Sequence, residues 1–141
     1  MIKKLSPLPN FLVSRYKDWK SKYYSENSNK FIKLGSLGQS PSSMIISCCD
    51  SRVHPTSILG AEEGEFFIHR NIANLIPAYS LEDKNNSTSA AIEYAIRELK
   101  VAHLIIMGHT NCGGVRGCYN LNVINKDNDY MFVKKWINII K

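Results

Sequence analysis

Nowhere in its 141 residues does the chain hold a run approaching the roughly 20 apolar residues of a membrane-spanning helix, so no helical span is expected. The opening stretch, MIKKLSPLPNF, has two lysines but no apolar segment and no small-residue cleavage site. No secretory leader is therefore expected, and a cytoplasmic location is. A block of Lys or Arg interleaved with aromatics is also missing. The net charge of +6 comes mostly from lysines scattered among acids, densest near Lys17, Lys20 and Lys22. That pattern reads as a solvated basic face, not as a nucleic-acid surface. C-x-x-C is absent, and the four cysteines fall into two groups without an export signal. A disulfide framework is thus not expected, whereas metal-binding thiolates in a reducing compartment are. No repeat or linker divides the sequence, and its length suits one domain over residues 1–141.

What is present reads as alternating helices and strands. Leu12, Tyr16, Trp19 and Tyr23 recur at helical spacing, so the sequence predicts one helix from Phe11 to about Lys33, an N-terminal arm over 1–33. LGSLGQSP, Leu34 to Pro41, predicts a loop. SMIISC predicts a short buried strand, GEFFIHR a second, and AHLIIM a third. The third is uniformly apolar, as in a parallel sheet covered on both faces. SLEDKNNST predicts an exposed loop, with Ser87 or Thr88 as helix cap. Ala91, Ile92, Ala95, Ile96 and Leu99 then form an apolar helical stripe. The expected class is α/β, a mostly parallel sheet flanked by helices. Near the end, Phe132, Val133, Trp136, Ile137 and Ile140 form another apolar stripe. It folds back, packs on another subunit, or precedes further chain.

Chemistry concentrates at two predicted strand ends. His109 and Cys112 have H-x-x-C spacing directly after the third strand, followed by Gly113 and Gly114, which permit a tight turn. Cys48 or Cys49, at the end of the first strand, can supply a third soft ligand. Parallel strands bring their carboxyl ends to one edge, where ligands bind. Two thiolates and an imidazole suit Zn²⁺, and three protein ligands leave the open position of a catalytic site. Asp50 and Arg52 flank this set. A guanidinium would keep the aspartate oriented and ionised. Ser51 lacks a G-x-S-x-G surround and reads as a turn residue.

Taken together, CCDSR (Cys48 to Arg52), RNIAN (Arg70 to Asn74), TSAAIEYA (Thr88 to Ala95) and GHTNCGG (Gly108 to Gly114) resemble the β-class carbonic anhydrases. The resemblance runs in order over about residues 38–117, which would hold the zinc and catalytic core. It implies reversible hydration of CO₂ to bicarbonate and a proton by zinc-bound hydroxide, with one Zn²⁺ per chain. Its C-x-D-x-R pattern makes Cys48, not Cys49, the ligand beside His109 and Cys112. Asp50 and Arg52 would be the catalytic dyad. Gln39 would hydrogen-bond bicarbonate, Phe67, Ile72 and Tyr94 would wall an apolar CO₂ pocket, and the Gly113 amide would approach the substrate. A homodimer or larger homo-oligomer is also implied. Zinc lowers the pKa of bound water to roughly 7 in the α-class enzyme, and that figure belongs to that class. Thiolates donate more charge than imidazoles, so a less acidic water is expected here.

Some positions depart from the pattern. His54 stands where members often carry Asp, and it reads as an exposed loop histidine, with a proton shuttle as the alternative. His69 and His103 read as structural, and Cys49 and Cys118 as small buried residues. Members usually continue with further helices and two more strands. The expected fold is thus short of its last strands, with an unpaired apolar edge on the third strand. A truncated, non-catalytic zinc-binding member, acting as partner or remnant, is the alternative function.

Overall fold

The computed structural model describes residues 7–80, 86–119 and 130–140. Two compact units divide the chain, Met1–Gln39 and Ser40–Lys141.

The first unit is helical, but not as one rod. Helix α1 spans Asn10–Trp19, a π-helical turn follows at Lys20–Tyr24, and α2 spans Ser28–Leu37. The Trp19 and Phe31 rings lie 5.7 Å apart, whereas twelve residues of straight helix would separate them by about 18 Å. The chain therefore turns between them, correcting the single helix expected to Lys33. The reason is local. Asn27 takes non-helical angles, and its Nδ2 donates to the Tyr23 carbonyl at 2.8 Å. Tyr24 stacks on Phe31 at 5.0 Å, closing the aromatic cluster. The expected loop at Leu34 is also corrected, because α2 runs to Leu37 and stops where Gly38 takes φ 75°.

The second unit is built on a parallel sheet of three strands in the order β2-β1-β3. These are β1, Ser43–Cys48; β2, Phe66–Asn71; and β3, His103–Met107. The three predicted strands are all present. Central β1 is buried along its whole length. Its fully buried Met44, Ile45 and Ile46 each contribute about 1.5–3 kcal/mol of burial. Short helix α3, Pro55–Leu59, connects β1 to β2. Helix α4, Ser87–Arg97, lies between β2 and β3 in the chain and places Ala95 against Met44 and Ile46. Its cap is Asn86, not Ser87 or Thr88. The Asn86 carboxamide oxygen accepts from the Thr88 and Ser89 amides at 3.0 and 3.1 Å. Thr88 is instead buried, its hydroxyl meeting His69 Nε2 and Asn71 Nδ2.

Strand β3 corrects the expectation of an apolar run covered on both faces. Leu104, Ile105 and Ile106 are 42, 38 and 55% exposed, because β3 is a sheet edge among the described residues. Among the described residues, an open apolar edge stands on β3. Helix α5, Gly113–Tyr119, follows β3, and α6, Met131–Ile137, follows α5. The α6 stripe folds back on one side only. Ile137 is fully buried and Trp136 Nε1 donates to the Ile72 carbonyl at 2.7 Å, while Phe132 stays exposed.

Candidate metal centre

Strand direction assembles the site. Cys48 is the last residue of β1, and His109 and Cys112 lie in the turn between β3 and α5. Both strands run the same way, so their carboxyl ends meet. The three ligand atoms lie within 4.8 Å of one another. Cys48 Sγ and Cys112 Sγ are 3.9 Å apart, and both thiols are free. Two thiolates on one tetrahedral Zn²⁺, with Zn–S near 2.3 Å, would sit about 3.8 Å apart. His109 turns Nδ1 to the Thr110 carbonyl at 3.0 Å. That contact fixes the proton on Nδ1 and leaves Nε2 a bare lone pair. Nε2 is buried and, among the described residues, has no hydrogen-bond partner. A buried acceptor left alone is costly, and a cation among these donors would satisfy it. The donor set therefore fits zinc.

Local charge supports the same reading. Burial alone would raise the Cys48 thiol, but the backbone amide of Asp50, the approach of the His109 ring, the backbone amide of Ala73 and the Cys112 thiol outweigh it, in that order, and hold it below its ordinary value. Ala73 takes the left-handed conformation, φ 64°, and shares a buried cluster with Cys48 and Cys112.

Asp50 is clamped by Arg52. Nε of Arg52 donates to Oδ1 at 2.9 Å, and Nη2 donates to Oδ2 at 2.7 Å. The Arg52 backbone amide adds a third bond to Oδ1, at 3.0 Å. These bonds hold the Asp50 carboxyl well below the usual carboxylate range and raise the Arg52 guanidinium in return. Arg52 Nη2 also donates to the Asn111 carbonyl at 3.2 Å, tying the Cys48 turn to the turn carrying His109 and Cys112. Asp50 Oδ2 stands 3.9 Å from His109 Nε2, beyond hydrogen-bond range.

A cleft of about 390 Å³ opens beside His109 and Arg52, with Val53, Ile58, Met107, Gly108 and Thr110 completing its lining. Phe67 and Tyr94 meet each other instead, ring centroids 5.8 Å apart, and Phe67 packs on the Met44–Ile46 core. Ile72 lies at the α6 contact and, like Phe67 and Tyr94, is outside the lining of this cleft. Gly113 begins α5 with open space around it, whereas a Cβ on Gly114 would come within 2.9 Å of both Ala73 Cβ and Ile72 Cγ2. Gln39 is the last residue of the first unit.

Four other residues need placing. Cys118 is buried, but Cys49 is exposed, contrary to expectation. Cys49 lies one residue past the end of β1, beyond the stretch that the neighbouring strands and helices cover. His54 is exposed, its Nδ1 2.7 Å from the Thr56 hydroxyl. His103 is also exposed, at the start of β3.

Sequence reasoning missed Arg70. Its guanidinium donates to the carbonyls of Cys48, Asp50 and Val53 at 2.6–3.0 Å. Its place in RNIAN was visible, but contacts to main-chain carbonyls leave no residue pattern to find.

An α/β unit with a Cys–His–Cys cluster at the carboxyl ends of parallel strands, beside an aspartate–arginine pair, defines a class of metal-site proteins. Residues 43–141 match the family model described as carbonic anhydrase. A beta carbonic anhydrase 3 from Arabidopsis thaliana is 35% identical over 128 residues, covering 91% of this chain and 49% of that protein. The solved β-carbonic anhydrase CcaA superposes with TM-score 0.85 at 33% identity, over 93% of this chain and 56% of that one. A tetrameric β-carbonic anhydrase from Sordaria macrospora gives TM-score 0.74 at 34% identity, over 91% and 59%. The chain belongs to the β-class carbonic anhydrase family, and it spans about half the length of the Arabidopsis relative.

Proposed function

We propose that the chain is a zinc-dependent carbonate dehydratase that interconverts CO₂ and bicarbonate. The observation that carries this reading is the buried His109 Nε2, without a hydrogen-bond partner among the described residues and facing two thiols, with the ionised Asp50 clamped beside it. Cys48, His109 and Cys112 would hold one Zn²⁺. Bound there, the ion would supply the Lewis acidity that makes water a nucleophile near neutral pH. Asp50, with no titration near neutrality, accepts a hydrogen bond from the attacking water and aligns its lone pair. Arg52 keeps that carboxylate from turning away. Val53, Ile58 and Met107 give the cleft an apolar wall, which suits a small uncharged molecule that polar groups hold poorly. By family resemblance, Gln39 and the Gly113 amide would contact bicarbonate, and Phe67, Ile72 and Tyr94 would wall the CO₂ pocket. A homo-oligomer is proposed from the tetrameric relative. A cytoplasmic location rests on the sequence reading alone.

The test measures zinc content, CO₂ hydration and sedimentation for this chain beside Cys48→Ser. The variant is expected to lose both metal and turnover. A variant that kept its zinc would overturn the ligand assignment. A second reading is a zinc-binding member without turnover, acting as partner or remnant. Zinc at one per chain with no CO₂ hydration would select it.

A further inference from the structure

We propose that Arg70 is a positioning residue that holds the Cys48–Val53 turn, and through it the Asp50–Arg52 pair, in its working geometry. Arg70 sits in β2, paired in register with Ser47 of β1. Its Nε and Nη2 reach the Cys48 carbonyl at 3.0 and 2.9 Å, and Nη2 also reaches the Asp50 and Val53 carbonyls at 2.9 and 2.6 Å. Three carbonyl oxygens thus converge on one partly buried cation. Without it their dipoles would repel each other, and the Asp50 carbonyl would keep only the Val53 amide.

The turn has few other restraints. The Cys49 amide donates to the Asn71 carbonyl at 2.9 Å, and the Val53 amide to the Asp50 carbonyl at 3.0 Å. Between these two bonds sit Asp50, Ser51 and Arg52. The Asp50 carbonyl is therefore the pivot, because both the turn and the Arg70 guanidinium bind it. From there the Arg52 clamp carries the order across to Asn111, in the turn that holds His109 and Cys112. Lysine cannot replace this arrangement, since one ammonium lacks the planar fork that reaches separated acceptors.

This inference uses the carbonate dehydratase reading only for its activity arm. The test compares wild type with Arg70→Gln and Arg70→Lys. In the metal-free chain, the hydrogen exchange of Arg52 Nε–H is followed by NMR, since that proton is held by Asp50. In the zinc-loaded chain, kcat and KM for CO₂ hydration are measured. Arg70→Gln is expected to fold, to bind zinc at one per chain, to lose most of the Arg52 Nε–H protection, and to lower kcat at least 10-fold with KM within 2-fold. Arg70→Lys is expected to recover less than half of either loss. A folded variant whose Arg52 Nε–H exchanges as slowly as wild type overturns the proposal. If Arg70→Gln does not fold, Arg70→Lys decides alone by the same exchange measurement. Absence of turnover in wild type would count against the dehydratase reading, and the exchange arm would still decide the role of Arg70.

Discussion

A methyl group added at Gly114 has nowhere to go. Its position would lie 2.9 Å from both Ala73 Cβ and Ile72 Cγ2, and Ala73 is one of the residues whose amide steadies the Cys48 thiolate. Gly114→Ala is expected to cost about 1–3 kcal/mol in thermal unfolding, as overpacking does, and to weaken zinc binding in a competition titration. Gly113→Ala, with nothing within 4 Å of the added atom, is expected to change neither measurement appreciably. The twin glycines were legible as a turn, but which of them is jammed against a neighbour was not, because Ala73 is distant in sequence. The donor residues were legible for the opposite reason. Thiols, an imidazole and an acid–arginine pair at strand ends have few other uses, and Cys48, Asp50, Arg52, His109 and Cys112 do converge. For Asp50, charge and shape can be separated. Asp50→Asn keeps the size and loses the ion pair with Arg52. It is expected to retain zinc and lose about 10²-fold or more in CO₂ hydration, measured by stopped flow. An equal loss of zinc would place Asp50 among the ligands instead.

Elements were read more safely than their ends. Each predicted strand had a strong apolar signal, and β1 needed nothing more, since both its edges are paired and both its faces covered. Helices depended on single polar residues that periodicity overlooks. Asn27 breaks the first unit by one side-chain bond to a carbonyl, and Asn86 caps α4 where Ser87 or Thr88 was the expected cap. The cap has a measurable weight. Asn86→Ala leaves the Thr88 and Ser89 amides without that partner and is expected to cost about 1 kcal/mol in chemical denaturation. The loss should be confined to stability, with zinc stoichiometry unchanged, because α4 supplies none of the three donors. Strand β3 shows what a sequence cannot state by itself. HLIIM reads as a doubly covered strand, yet coverage depends on what lies beside it, and among the described residues that side is open.

At the scale of the whole molecule, acid is expected to unfold the metal-free chain by a route that begins at His69. Burial lowers the pKa of His69 from its ordinary 6.5, so the folded state prefers the neutral ring. The hydrogen bonds point the same way. Asn71 spends its carboxamide on Leu75, accepting from its amide at 2.8 Å and donating to its carbonyl at 2.9 Å. Its Nδ2 also donates to the Thr88 hydroxyl at 3.2 Å, and that hydroxyl lies 3.0 Å from His69 Nε2, where it can donate to the neutral ring. Protonating that nitrogen would require the Thr88 hydroxyl to turn its proton away. Between the lowered folded value and 6.5 the unfolded chain binds more protons, so stability rises with pH there and falls as pH drops below 6.5. Asp50 acts in the same direction much lower, since its carboxylate is favoured in the fold, and that contribution fades only below 3.8. Added positive charge on a chain already at +6 works the same way through self-repulsion. His69→Gln isolates the first effect, because glutamine can still accept from Thr88 but cannot titrate. Denaturant unfolding of the metal-free wild type between pH 7.0 and about 5 is expected to lose stability more steeply than the variant. The two should run parallel between pH 7.0 and about 8. Parallel curves below 6.5 as well would mean that His69 is no more buried in the fold than in the unfolded chain.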